Sequence, residues 1–581
     1  MFTGGQSLTG FTVPADEVWC LDPGVSTTID SSANVVVNGT LVMRPASPAV
    51  IHRLRFVGID ESKFVGGGEN VVGSDVGLWV MGAGRLDVGG AKKTPWTNAQ
   101  AISAGASSIT LTEPPVGWKV GDEITITPTA APTVTEHHDT YDSATITAIN
   151  TTVVSLSTPV RNAHPAVAVT PAKTQFPEVL NLTRNVQIEG TATGRSHIFI
   201  RSTRPQSIGY AQIRHMGPRK PNPEYAYLNQ GYSLKVLGRY GLHVHHAEDG
   251  SRGSLIEGVV MRDNGNHSFV PHLSNGITFR QNIAHDVMET AYWWDGADEN
   301  RSEGDPSNDI LFDRNVASKV TADPLSGRDF IELSGFWIGR GGPPTFGGDV
   351  QDVAIGNVAV GVAGGDRASG FIWPADSEGI WRFEDNVAHN NREDGAFFWQ
   401  TTSSVHPIDR FVSYHNGRYG VFSGGYSANT HWNDAVLYGN GITQLFGHGT
   451  VLVITADPSL RQHWRNSVFD GAGISPYAAI LAGGVVPPDG IRSNVPSEIT
   501  NGTFRGYTTA AIRVEQVTNF TPYGAYWKLI DNDYGAGNTF SFASDINRDT
   551  KVEVQTGTEL DTLRRFDQVG VLVSAWNARR G

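Results

Sequence analysis

A single cysteine, Cys20, stands in 581 residues, so no intrachain disulfide holds this fold. Cys20 itself reads as a small buried apolar residue. No apolar run approaches the ~18 residues of a membrane-crossing helix, and no membrane span is expected. The opening MFTGGQSLTG has neither a basic stretch nor an apolar one and does not read as a signal peptide. On that reading a signal was trimmed, the protein leaves the cell by another route, or it stays inside. Charge is sparse, 18 % of residues, and the net charge of −14 argues against a nucleic-acid partner.

Glycine is plentiful, at 67, and apolar residues make up 39 %. That balance suits many short strands and turns rather than long helices. The chain is too long for one compact core, yet no linker interrupts it, as in a solenoid whose repeats bury their faces on one another. Charge is also uneven. Between Arg184 and Arg262 there are 11 Lys/Arg against 5 Asp/Glu, a surplus of 6 inside an acidic chain. Such a stretch either holds an anionic ligand or solvates an outer face.

Four Asn-Ile/Val-Ala tripeptides, at Asn282, Asn315, Asn357 and Asn386, each follow a short apolar strand. Their intervals of 33, 42 and 29 residues fit coils with loops inserted between them. The asparagines are expected to form a structural ladder from coil to coil. A second column comes from AYWWDG, SGFWIG, SGFIWP and GAFFWQ. Aligned, these place Trp294, Trp337, Trp373 and Trp399 at one position, facing opposite to Trp293, Phe336, Ile372 and Phe398. The second set is the more uniformly apolar and is expected to fill the core. The Trp set then lines the outside as a platform for sugar rings, joined by Tyr292, or else points inward or lies under a loop.

The fold class expected is all-β: an N-terminal β-module (1–170), a right-handed parallel β-helix (171–520), and C-terminal strands with a cap (521–581). The ordered blocks WKVGDEITI, LTRNVQIEG, SHIFI, AQIRHMG, GRYGLHVH, VPHLSNGITFRQNIAHD, AYWWDG and SGFWIG cover roughly residues 10 to 400. In that order they resemble the hyaluronan-degrading and hyaluronan-binding family typified by cell migration-inducing hyaluronan-binding protein and its transmembrane relative. The resemblance implies an eight-glycine β-domain up to about residue 170, a parallel β-helix after it, and cleavage of hyaluronan, an anionic glycosaminoglycan.

Within GRYGLHVHHAEDGSRG, His243 and His245 share a strand face, and His246 is expected to point the other way. His272, one coil on, also has a counterpart in that family. Adjacent coils stack at about 4.8 Å, so His243, His245 and His272 can converge with Asp286 or Asp295. Two imidazoles two residues apart on a strand suit a divalent metal or a substrate, with satisfied structural polarity as the alternative. A hydrolase would need two carboxylates, such as Asp295 with Glu289 or Asp249. A lyase would need a cation, Arg239 or a metal, to offset a uronate, and a base, a histidine or Tyr240, to take the proton. The partner expected is an anionic polysaccharide, handled by a monomer or a homotrimer outside the cell. The alternative is a non-catalytic adhesin such as a bacteriophage tail protein.

Overall fold

The computed structural model describes residues 1–132, 140–221, 233–294, 307–321, 333–339, 352–363, 368–373, 381–400, 405–427, 430–441, 451–455, 462–472, 478–484, 497–507, 510–514, 526–535, 540–542 and 551–564. Contacts divide the chain into two compact units. The first spans Met1–Thr129, Asp139–Ala166 and Phe176–Ala368; the second spans Ala130–His138, Val167–Gln175 and Ser369–Gly581. Apart from 3-10 turns, the described regular structure is strand, and no described helix is long and apolar enough to cross a membrane.

The first unit is a parallel β-helix with three strands per coil. One coil runs Leu242–Glu248, Leu255–Glu257 and Val260–Arg262; the next runs Phe269–Ser274, Thr278–Arg280 and Ile283–Met288. Each strand pairs in parallel with its counterpart: His243 with Val270, Ile256 with Phe279, Met261 with Ala284. Parallel stacking puts like side chains above one another. Leu242, Phe269, Tyr292 and Phe336 therefore form one buried interior column, with Tyr292 stacked 4.9 Å from Phe269 and 4.5 Å from Phe336.

Three of the four asparagines expected to form a ladder do so. Asn282 donates its backbone N–H (2.9 Å) and Nδ2 (3.1 Å) to Asn315 Oδ1, and Asn315 repeats the pattern onto Asn357. Each amide also donates to a backbone carbonyl, Asn282 to Ile256 and Asn315 to Phe279, both at 2.9 Å. These turns are buried, where an unmet backbone group would cost about 1–3 kcal/mol.

The boundary expected at residue 170 meets a different arrangement. Gly5–Leu8 already pairs in parallel with Thr27–Ser31, and His52–Phe56 with Val186–Glu189. Coils thus begin at the N-terminus, and a six-stranded, mainly antiparallel module over residues 96–181 is inserted between two of them. The block WKVGDEITI belongs to that insert. Its Trp118 indole donates to the Thr94 carbonyl at 2.7 Å, and its Asp122 holds the buried Lys93 ammonium at 2.7 Å. The signal that misled was local: strands of coil and insert share the same short β-branched pattern, and pairing partners more than 130 residues apart leave no trace in either. Cys20 also departs from expectation, being partly exposed on its strand.

The second unit is built the same way. Ser369–Trp373, Ala396–Gln400 and Val421–Ser427 pair in parallel, and Val451–Thr455, Ala478–Gly484 and Ala510–Val514 continue the series. It carries its own ladder, Asn391 to Asn416 to Asn440, with Nδ2–Oδ1 distances of 2.9 Å at both steps. Asn386 is buried there as well. The strands Lys551–Thr556 and Glu559–Arg564 close one sheet as an antiparallel hairpin, which ends parallel stacking at that edge.

Candidate functional site

The outer face of one sheet in the first unit carries a column of rings broken at one valine. In register across successive strands stand Trp79, Phe199, His243, Val270, Trp293 and Trp337. Two residues along, His245 pairs with His272. His243 Nε2 lies 3.3 Å from His245 Nδ1, and His245 Nδ1 lies 3.1 Å from His272 Nδ1. The three histidines thus meet at one point, as their spacing and coil repeat imply.

His246 joins them against expectation. Its backbone is left-handed, φ 46°, which breaks the strand's alternation and brings its ring to 4.2 Å from that of His245. Glu69 completes the group, with Oε1 3.1 Å from His246 Nδ1 and 3.8 Å from His245 Nε2. Its loop turns on Gly66, Gly67 and Gly68, all at positive φ, so glycine is needed there. Three glycines ahead of an acid was the one sequence hint of Glu69, which lies more than 170 residues from the histidines.

Burial governs protonation here. It pushes His243 well below the usual imidazole range, helped by the neighbouring His245 and His272. Burial, with His272 and His246 next, lowers His245 to about 2. Both rings are neutral at pH 7 and keep a lone pair. The Nδ1 of His243 lies 2.9 Å from the Gly238 carbonyl, an acceptor only, so Nδ1 carries the proton and Nε2 is the free base aimed at His245.

Arg239 does not line the surface. It is fully buried, its Nε 2.9 Å from Asp75 Oδ2 and its guanidinium 4.6 Å from the Trp79 ring centre. It also donates to the Gly67 carbonyl at 2.7 Å, clamping the loop that carries Glu69. The local basic surplus is likewise met by acids from outside that stretch: Arg201 by Glu69, Arg219 by Glu289, Arg262 by Glu123. Asp286 stands on a different sheet from the histidines, because its strand, Ile283–Met288, is the third of its coil, and it is paired there with Lys319 at 2.7 Å. Glu289 is buried against Arg219, and Asp249 is held by Arg252. Asp295 lies outside the described residues.

The aromatic platform is shifted by one residue. Trp337 pairs with Trp293, not Trp294, and Trp373 pairs with Phe398. Trp294 and Trp373 are each 1 % exposed, and Tyr292 is in the interior column, so none of the three can stack a sugar. Gly339 lies flat against the Trp294 indole, where no Cβ fits. Trp293 and Trp337 are partly exposed, 6.2 Å apart at 72°. The alternation was read correctly, but SGFW and AYWW were aligned one residue out of register. The side chain of Trp399 lies outside the described residues.

No protein-family model matches the chain, and no curated protein does, so the hyaluronan-family resemblance stands on its sequence blocks alone. Solved structures similar to it include the catalytic domain of a GH87 alpha-1,3-glucanase in complex with nigerose (10 % identity, 81 % of this chain and 99 % of that one, TM-score 0.41). Others are the A-module of the Azotobacter vinelandii mannuronan C-5 epimerase AlgE4 (14 %, 62 % and 81 %, 0.32) and the Pseudomonas phage phi297 tailspike gp61 (10 %, 91 % and 74 %, 0.20). Similarities this low do not bear on function.

Proposed function

We propose that the chain binds and depolymerises an anionic, uronic-acid polysaccharide of the hyaluronan kind on this outer face. The observation that carries the reading is the meeting of His243, His245 and His272 on the sheet face that also bears Trp293 and Trp337. Partly exposed indoles offer flat apolar surface to sugar rings. Neutral imidazoles beside them supply a base at pH 7. The chemistry that suits an imidazole site is elimination. The base takes the proton at C5 beside the uronate carboxyl. The C4–O bond breaks with its electron pair leaving on oxygen, which takes up a proton as the hydroxyl of the other fragment, and a C4–C5 double bond remains in the new end. The acids weighed for hydrolysis that are described, Glu289 and Asp249, are held by arginines instead.

A second reading is a non-catalytic glycan-binding adhesin, such as a phage receptor-binding protein. It rests on the same indole pair, which holds sugar without any proton transfer. In either case the protein works outside the cell or on a virion, as a monomer or homotrimer.

The test is the chain length of high-molecular-weight hyaluronan, and of a panel of uronic-acid glycans, after incubation with the purified protein. Shortening with unsaturated, ultraviolet-absorbing ends, lost in His245→Ala and His272→Ala, is the expected result. Binding with every glycan left intact would select the adhesin. Neither binding nor shortening would end the glycan reading.

A further inference from the structure

His245 Nδ1 is set between two nitrogens and can serve only one of them. His243 spends its only proton on the Gly238 carbonyl, so its Nε2 faces His245 as a lone pair. His245 Nδ1 must then face both that lone pair and His272 Nδ1. A single hydrogen on His245 Nδ1 can point squarely at one of the two nitrogens, not both. A cation at the centre satisfies all three at once.

The distances fit a particular kind of ion. Zinc binds imidazole at about 2.0–2.1 Å, which in a tetrahedron puts neighbouring ligand atoms about 3.3 Å apart. The separations from His245 Nδ1 are 3.3 Å and 3.1 Å, and the ligand atoms of all three rings lie within 4.8 Å of one another. All the donors are imidazole nitrogens, which favour zinc-like transition metals over calcium or magnesium.

The surroundings resemble a built second layer. The Gly238 carbonyl fixes the tautomer of His243. The carboxylate of Glu69 lies 3.1 Å from His246 Nδ1 and 3.8 Å from the far nitrogen of His245, Nε2, so it holds His246 directly and sets a negative charge beside the His245 ring. Glu69 is itself held at 2.8 Å by Arg201, and its loop by the buried Arg239–Asp75 pair. This gives Arg239 and Asp75 a purpose: they position the carboxylate beside a ligand ring.

We propose that His243 Nε2, His245 Nδ1 and His272 Nδ1 bind one divalent zinc-class ion, with the Glu69 carboxylate beside the His245 ring as an outer charge. Three protein ligands leave a fourth position for water or for an oxygen of a bound ligand, the arrangement of a reactive site rather than a closed structural one. With the ion bound, the three lone pairs are its ligands, so the ion would offset the uronate charge and the base of the elimination would be the water at the fourth position rather than an imidazole. Ion binding is tested without glycan and can fail without the glycan reading failing.

The test uses the full chain without any affinity tag, stripped with a chelator and titrated with Zn2+ and with Co2+ in the absence of glycan. The expected result is one ion per chain by elemental analysis, and visible Co2+ absorption of the intense tetrahedral type. His245→Ala and His272→Ala should lose the ion, with folding checked by circular dichroism. His246→Ala should keep one ion. Glu69→Gln should keep one ion with affinity lower by about 10- to 100-fold. No saturable binding by the wild-type chain would overturn the proposal. So would one ion retained by both histidine variants, or its complete loss in Glu69→Gln, which would make Glu69 a ligand.

Discussion

Two polar columns rise through the first unit, and they differ in how their hydrogen bonds close. Along the turn of Asn282, Asn315 and Asn357, each amide gives and receives, and the chain of bonds is complete from coil to coil. On the outer sheet face, His245 Nδ1 stands between His243 Nε2 and His272 Nδ1 and has at most one proton to offer the two. Both arise from the same parallel stacking, which places like residues over like. The lesson is that a repeated polar residue whose bonds close is structure, whereas converging polar atoms whose bonds do not close are a site.

The sharpest break between buried and surface columns comes from the tryptophans. Trp294→Ala removes a fully buried indole and should cost about 3–5 kcal/mol in a denaturant melt. Next is the ladder itself. Asn315→Ala orphans the Asn282 N–H and the Phe279 carbonyl, both buried, and should cost about 3 kcal/mol. His245→Ala, by contrast, should shift stability by less than about 1 kcal/mol, because its ring is partly exposed. Equal costs for Asn315→Ala and His245→Ala would erase the distinction between the columns.

Acid should separate titratable packing from the uncharged ladder. Burial lowers His197, edge-on to Trp79, to about 3, and His285 to about 4. The unfolded chain binds protons at these residues near pH 6.5, and the folded chain does not. Their contribution is therefore whole above about pH 6.5 and is lost as pH falls towards the folded values. Between pH 7 and 5 the loss is on the order of 2 kcal/mol per buried imidazole. Melts at the two pH values that coincide would show that these rings are not held neutral.

Much of this was legible in the sequence, and the gaps have physical causes. The Asn-Ile/Val-Ala repeats announced the coils and the ladder, since parallel stacking needs the same residue at the same turn. The second ladder, through Asn391, Asn416 and Asn440, went unseen because its asparagines sit in differing contexts, HNNRE, YHNGR and YGNGI. Convergence of His243, His245 and His272 followed from strand period and coil repeat. Glu69 and the orientation of His246 did not: one depends on a fold-back over 170 residues, the other on a single left-handed residue inside a strand. The insert over residues 96–181 hid for a similar reason, because which strands pair is not written in either strand alone.

The smallest effect is the most discriminating for the outer face. Trp337 pairs in register with Trp293 and is partly exposed, so Trp337→Ala should leave stability within about 1 kcal/mol of wild type. Loss of its ring face should weaken binding of an anionic glycan by about 0.5–1.5 kcal/mol, a roughly 2- to 10-fold rise in Kd by calorimetry. Trp294, one residue after Trp337's partner Trp293, should behave oppositely, harming the fold and touching no ligand. If Trp294→Ala instead weakened glycan binding while the fold stayed intact, the two faces of this sheet would be exchanged. The histidines alternate with the interior column in the same register as Trp293, so their place on the outer face would fall with it.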